Sequence, residues 1–134
     1  MVETAGYILR IATKQWVTQV FGSAIYYTGL RRKWRSNQVA LFAHKTSFGD
    51  AIVGYGVVAG VHEREELMDY DRRACEEFGW RRAIEFKYVV QFKRPLPVKG
   101  TFLPDLKVSG KLLHGFPLKK DQADNLIMLA ENLK

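Results

Sequence analysis

The segment Gln38 to Val61, QVALFAHKTSFGDAIVGYGVVAGV, sets two apolar runs on either side of a short polar turn centred on Phe48-Gly49-Asp50. So short a connection cannot hold a crossover, and it predicts a β-hairpin. In the first run Val39, Leu41 and Ala43 alternate with Ala40, Phe42 and His44. Both sets are mostly apolar, so this strand is expected to be covered on both faces. Glycines at 54, 56 and 60 in the second run mark bulges, barrel corners or close backbone approach. The sharp curvature they imply is what a small closed or partly closed barrel needs.

Other elements are arranged around the hairpin. Tyr7 to Ile11 is rich in strand formers, and Thr13 is placed to cap a short helix through Trp16, Val17 and Val20 to about Gly22. Residues 23–37 show no sustained apolar period and read as a long loop with a turn-forming Gly29. From His62 to Phe78, Leu67, Tyr70, Ala74 and Phe78 recur at helical spacing among Glu63, Glu65, Glu66, Asp69, Asp71, Glu76 and Glu77. This predicts an amphipathic helix with a break near Asp69, its acids a solvated face paired with Arg64, Arg72 and Arg73, and Gly79 as its stop. Ala83 to Lys93 alternates strictly, with Ile84, Phe86, Tyr88, Val90 and Phe92 on one face, and Pro95 and Pro97 are expected to end that strand. Phe102 to Leu106 reads as a loop or a turn of helix, followed by a short apolar segment, Lys111 to Phe116. Ala123, Leu126, Ile127, Ala130 and Leu133 form the stripe of a last helix starting near Lys120. The expected class is α+β with about three helices, and with no repeat or linker in the sequence, residues 1–134 read as a single domain.

Charge limits the partners. Lys and Arg total 21 against 14 Asp and Glu, a formal net charge of +7, so the surface is expected to attract polyanions. A lone cysteine, Cys75, excludes an internal disulfide and a thiolate zinc site and points to a reducing, cytoplasmic setting. His44, His62 and His114 share no short metal-ligand spacing, so neither metal nor cofactor is expected. No apolar run is long enough to span a membrane.

The cations cluster. Arg31, Arg32, Lys33 and Arg35 fall within five positions around Trp34, offering phosphate contacts and a stacking plane together. Stacking of one base on such a ring is typically about 1–3 kcal/mol, so Trp34 weighs as much as several cations unless it is simply core. Lys45, Thr46 and Ser47 at the hairpin turn carry donors for phosphate or a base edge, though ordinary turn chemistry also explains them. Trp16, Tyr26 and Tyr27 are placed to line a cleft between the first helix and the sheet, where an unpaired base would find π-faces; core packing is the alternative. His44 and His114 read as ligand contacts or as polar residues at strand ends. Trp80, Arg81 and Arg82 make a second basic-aromatic cluster, which either extends the first or pairs with the acidic helix.

Taken in order, the segments YILRI, RRKWRSNQ, VALFAHK with AIVGYGVVAGV, AIEFKYVVQFKRPLP and FLPDLKVSGKLLHGFPLKKDQADNLIMLAENL resemble the PUA-like superfamily. Within it the chain is similar to the EVE-type domains, with ASCH and PUA proper as near relatives. The resemblance implies a small mixed β pseudobarrel flanked by helices, with His114 and Phe116 near the ligand cleft where the barrel closes. It also implies binding of RNA, or of DNA or RNA carrying a modified base, without catalysis by the domain. Two alternatives stand beside this. One is a small nucleotide- or RNA-directed hydrolase, as some ASCH-type relatives are, with His44 or His114 as general base and Lys45 or Lys111 stabilising negative charge. The other is a protein-interaction domain that pairs through its hairpin edge.

Overall fold

A first strand, β1 (Gly6–Ile11), leads into helix α1 (Lys14–Ser23), whose start is set by Thr13: its hydroxyl accepts from the Trp16 amide at 3.4 Å. Ala24 closes the helix in the left-handed conformation at φ 58°, its amide donating to the Val20 carbonyl at 2.9 Å. In the computed structural model, residues 4–28, 34–47, 49–63, 82–108 and 110–133 are described. Then follow β2 (Ile25–Thr28), β3 (Val39–Thr46), β4 (Gly49–Glu63) and β5 (Arg82–Pro97). Three 3-10 segments (Val98–Gly100, Leu103–Leu106 and Gly110–Leu113) precede β6 (Pro117–Leu118) and helix α2 (Lys120–Glu131).

The six strands make one mixed sheet in the order β2-β5-β4-β3-β1-β6, in which only β1 and β3 run parallel. Its two sides carry separate cores. Ile8, Leu41, Ala43, Ile52, Phe92 and Leu96 pack under α2 and the 3-10 segments. Leu9, Ile11, Ala40, Phe42, Ile84 and Phe86 pack against Val20 of α1. β3 therefore buries Ala40, Leu41, Phe42 and Ala43 in succession, the two-sided cover its composition predicts. Phe42 meets Phe21 and Phe86 edge to face, at 5.6 and 5.4 Å between centroids. The room for these rings comes from glycine: a Cβ on Gly56 would stand 2.7 Å from Phe86 Cδ1.

Several expectations change. β2 and β6 do not pair with each other among the described residues, so the sheet is open and the expected barrel closure is not seen. Edge strands of four and two residues supply too short a ladder to join. Two α-helices are present among the described residues; of the third, expected over 62–78, His62 and Glu63 are strand and the rest lies outside the described residues. The long loop expected over 23–37 contains β2, because Ile25–Thr28 finds a ladder on β5. Pro95 does not end β5, which runs on to Pro97. β2 covers only Arg82–Glu85, so further along the outer edge of β5 has no ladder among the described residues, and an edge admits proline.

The strict alternation of β5 does not mark one face. Val57 pairs with Tyr88 and Val58 with Phe86, which leaves Lys87 as an extra residue in the ladder. A one-residue insertion exchanges inside for outside along a strand. Hence Ile84 and Phe86 belong to the α1 side, while Phe92 and Leu96 belong to the α2 side, and Tyr88 is left 53% exposed.

One glycine tests the packing of the parallel pair. A Cβ on Gly6 would overlap the Val39 carbonyl oxygen, whereas one on Gly60 meets nothing within 4 Å. Gly6→Ala should lower unfolding free energy by about 2–4 kcal/mol, and Gly60→Ala should change it by less than about 0.5 kcal/mol, measured by urea denaturation.

Candidate nucleic-acid interface

The four residues Arg35 to Gln38 join the basic loop to β3, and hydrogen bonds hold them from three directions. Gln38 is only 8% exposed; its Oε1 accepts from the Arg35 amide at 2.6 Å and its Nε2 donates to the Thr4 carbonyl at 2.9 Å. The Asn37 amide donates to the Val58 carbonyl and the Val58 amide to the Gln38 carbonyl, both at 2.8 Å. Asn37 takes a left-handed φ of 74°, which asparagine tolerates better than most residues. From the bulge on β5, the Lys87 ammonium donates to Asn37 Oδ1. The turn is fixed before any ligand arrives, and exposed Arg35 rides on it.

Trp34, just before this turn, is half-buried and packs on the α1-side core with its ring against Tyr7, 4.8 Å between centroids at 67°. Its indole N–H is buried and meets no hydrogen-bond acceptor among the described residues. Trp16 and Tyr26 pack on the same core, so three of the aromatics chosen from sequence share one side of the sheet. Burial pushes the Tyr26 hydroxyl up to about 12. Tyr27 is half-buried on β2 beside them in the chain.

The remaining candidates stand elsewhere. β3 itself spans about 23 Å at 3.3 Å per residue, with Arg35 ahead of one end and Lys45, Thr46 and Ser47 at the other. There the hairpin closes one step earlier than its sequence indicates: Thr46 pairs with Gly49, and the Thr46 hydroxyl donates to the Gly49 carbonyl at 2.7 Å. Both histidines at this end hydrogen-bond the last residues of β1. His114 Nδ1 accepts from the Arg10 amide at 3.1 Å, and His44 Nδ1 lies 2.8 Å from the Ile11 carbonyl. Arg10 and Asp50 form an ion pair at 3.1 Å across β3, both largely covered, a contact that sequence reading missed because forty residues separate them. Phe116 packs on the α2-side core. Arg31, Arg32 and Lys33 lie outside the described residues, as do Trp80 and Arg81. Arg82, of that second cluster, starts β5 and pairs with Glu63 at 3.4 Å. Among the described residues no group of His, Cys, Asp or Glu could hold a metal, and no helix is long and apolar enough to cross a membrane.

No protein-family model matches the chain, and no curated protein does. Solved structures do match. The crystal structure of ASCH from Zymomonas mobilis superposes with a TM-score of 0.68 at 8% identity, over 95% of this chain and 96% of that one. A serine-to-alanine variant of the same protein gives 0.67 at 10% identity over 96% and 99%. A tyrosine-to-phenylalanine variant gives 0.59 at 10% identity over 91% and 96%. At such identities the likeness is one of fold alone: the chain follows the backbone path of the ASCH structures, within the fold that its sequence resemblance leads one to expect.

The Tyr26 environment sets a pH dependence. Between pH 10 and about 12 the unfolded chain releases a phenolic proton that the folded chain keeps, so stability is full below pH 10 and falls as pH rises through that window. The loss should reach about 2–3 kcal/mol. Tyr26→Phe should remove that part of the alkaline slope in urea unfolding followed from pH 9 to 12.

Proposed function

We propose that this protein is a nucleic-acid-binding domain that grips single-stranded or unpaired RNA, or a modified base, at the Trp34–Gln38 end of its sheet. The observation that carries this is the pre-fixed turn at which three cations from different elements meet. Arg35 stands on the turn, Lys87 bonds it from β5, and Lys120 of α2 lines the same cavity as Arg35. Arg31, Arg32 and Lys33 precede Trp34 directly in the sequence. Trp16, Tyr26 and Trp34 supply rings on the α1 side of the sheet, with Trp34 next to Arg35 in the chain, while Lys120 reaches the turn from the α2 side. The fold likeness to an ASCH protein supports the reading but does not carry it, since one fold hosts many functions. His44 and His114, whose Nδ1 atoms serve the end of β1, fit a structural part better than that of a general base. Lys45, Thr46 and Ser47 belong to the surface only for a ligand long enough to reach along β3.

Retention of labelled single-stranded RNA and DNA should fall linearly in log salt, with a slope of about −0.7 per phosphate contact. Arg32→Glu with Arg35→Glu should weaken binding by about 100-fold near 0.1 M salt and flatten that slope, while Lys45→Glu should change short-strand binding less than about threefold. A double variant that binds like the parent would remove the loop and turn from the interface.

A further inference from the structure

A cavity of about 530 Å³ opens between the turn at Arg35–Gln38, the residues that lead into β1 and the first turns of α2. Its size falls within the roughly 300–1,000 Å³ typical of small-ligand sites. Ala5, Val39 and Ala123 give it apolar lining; Arg35 and Lys120 bring cations from two separate elements. The cavity also has one carboxylate, Asp124, which accepts from Lys120 Nζ at 2.7 Å. That bond raises the Lys120 ammonium above its ordinary value, so it stays charged across the physiological range. One wall is the turn that Gln38 and Val58 lock in place, so the site keeps its shape when empty.

An apolar recess that holds a flat ring, bordered by two cations suited to a phosphate, matches the chemistry of one nucleotide. We propose that this cavity takes a single phosphorylated nucleoside unit, its base or ribose against Ala5, Val39 and Ala123 and its phosphate between Arg35 and Lys120. The ligand class rests on the nucleic-acid reading above, which this deepens by assigning one nucleotide unit to the cavity beside the turn, on the side of the sheet opposite the aromatic cluster. The unit is either the terminal nucleotide of a bound strand or a free mononucleotide.

Amide NMR of the full chain, titrated with adenosine and uridine 5′-monophosphates and the matching nucleosides, tests this. Shifts should centre on Ala5, Gln38 and Ala123, and the nucleosides should bind at least about tenfold more weakly than the monophosphates. Lys120→Glu should weaken the monophosphate at least about tenfold. Asp124→Asn should tighten it about two- to fivefold, the opposite sign, because a like charge leaves the site. Ala5→Leu should block the recess, with circular dichroism reporting whether it folds; the two charge variants decide the matter if it does not. A 5′-phosphorylated single strand binding more tightly than its 5′-hydroxyl form assigns the strand terminus, and equal binding beside a bound monophosphate assigns the free nucleotide. Monophosphates that leave these amides unmoved while strands are retained would overturn the cavity alone. Strands that fail to bind while monophosphates fill the cavity would overturn the strand reading instead.

Discussion

One extra residue in β5, Lys87, governs the arrangement of this molecule. A strand without it would show a single face to a single core. With it, the strand gives Ile84 and Phe86 to the side under α1, then Phe92 and Leu96 to the side under α2. Both cores share β5 through this bulge, β3 through plain alternation, and β4 through a second register shift between Ile52 and Gly54. The bulge also aims the Lys87 ammonium at Asn37, next to the point where Val58 receives the turn. Packing and candidate site thus come from the same local break in the ladder, a common use of bulges.

The turn illustrates how a buried polar side chain can position an exposed charged one. Gln38 satisfies its amide on Arg35 and on Thr4, so it avoids the desolvation cost that an unpaired amide would incur. What it gains is position: Arg35 departs from a backbone held between the lead-in to β1 and Val58 of β4. At the other end of β3 the same economy serves stability. His44 and His114 hydrogen-bond the end of β1, while Arg10 and Asp50 tie β1 to β4 over the strand between them. Eight residues of β3 keep these two ends apart, so groups that look neighbouring in sequence act in different places.

A fold shared at 8% identity shows how little of a sequence specifies a backbone path. Apolar order, glycine placement and caps suffice, while the side chains that touch a ligand vary freely over the same frame. For that reason the proposed function rests on Arg35, Lys87 and Lys120 at the turn and on Trp34 next to it in the chain, and not on the fold's neighbours.

Local signals were legible. Thr13 as a cap, the stripe of α2, the glycines of β4 and the doubly apolar β3 each depend on residues close in the chain, where spacing alone states the geometry. The class of fold followed from their order. Long-range pairing was not legible: β2, Pro95 inside β5, the open edges and the displaced face of Tyr88 depend on which strand stands alongside, a fact that no window of sequence contains. The same division holds for the candidate site. Sequence by itself determined a positive surface with Trp34 amid its arginines, because charge and residue type are properties of the chain. Only the tertiary structure decided that Arg35 shares a cavity with Lys120, eighty-five residues away, and that the hairpin lysine does not, because proximity is created by the sheet and the helix packed upon it.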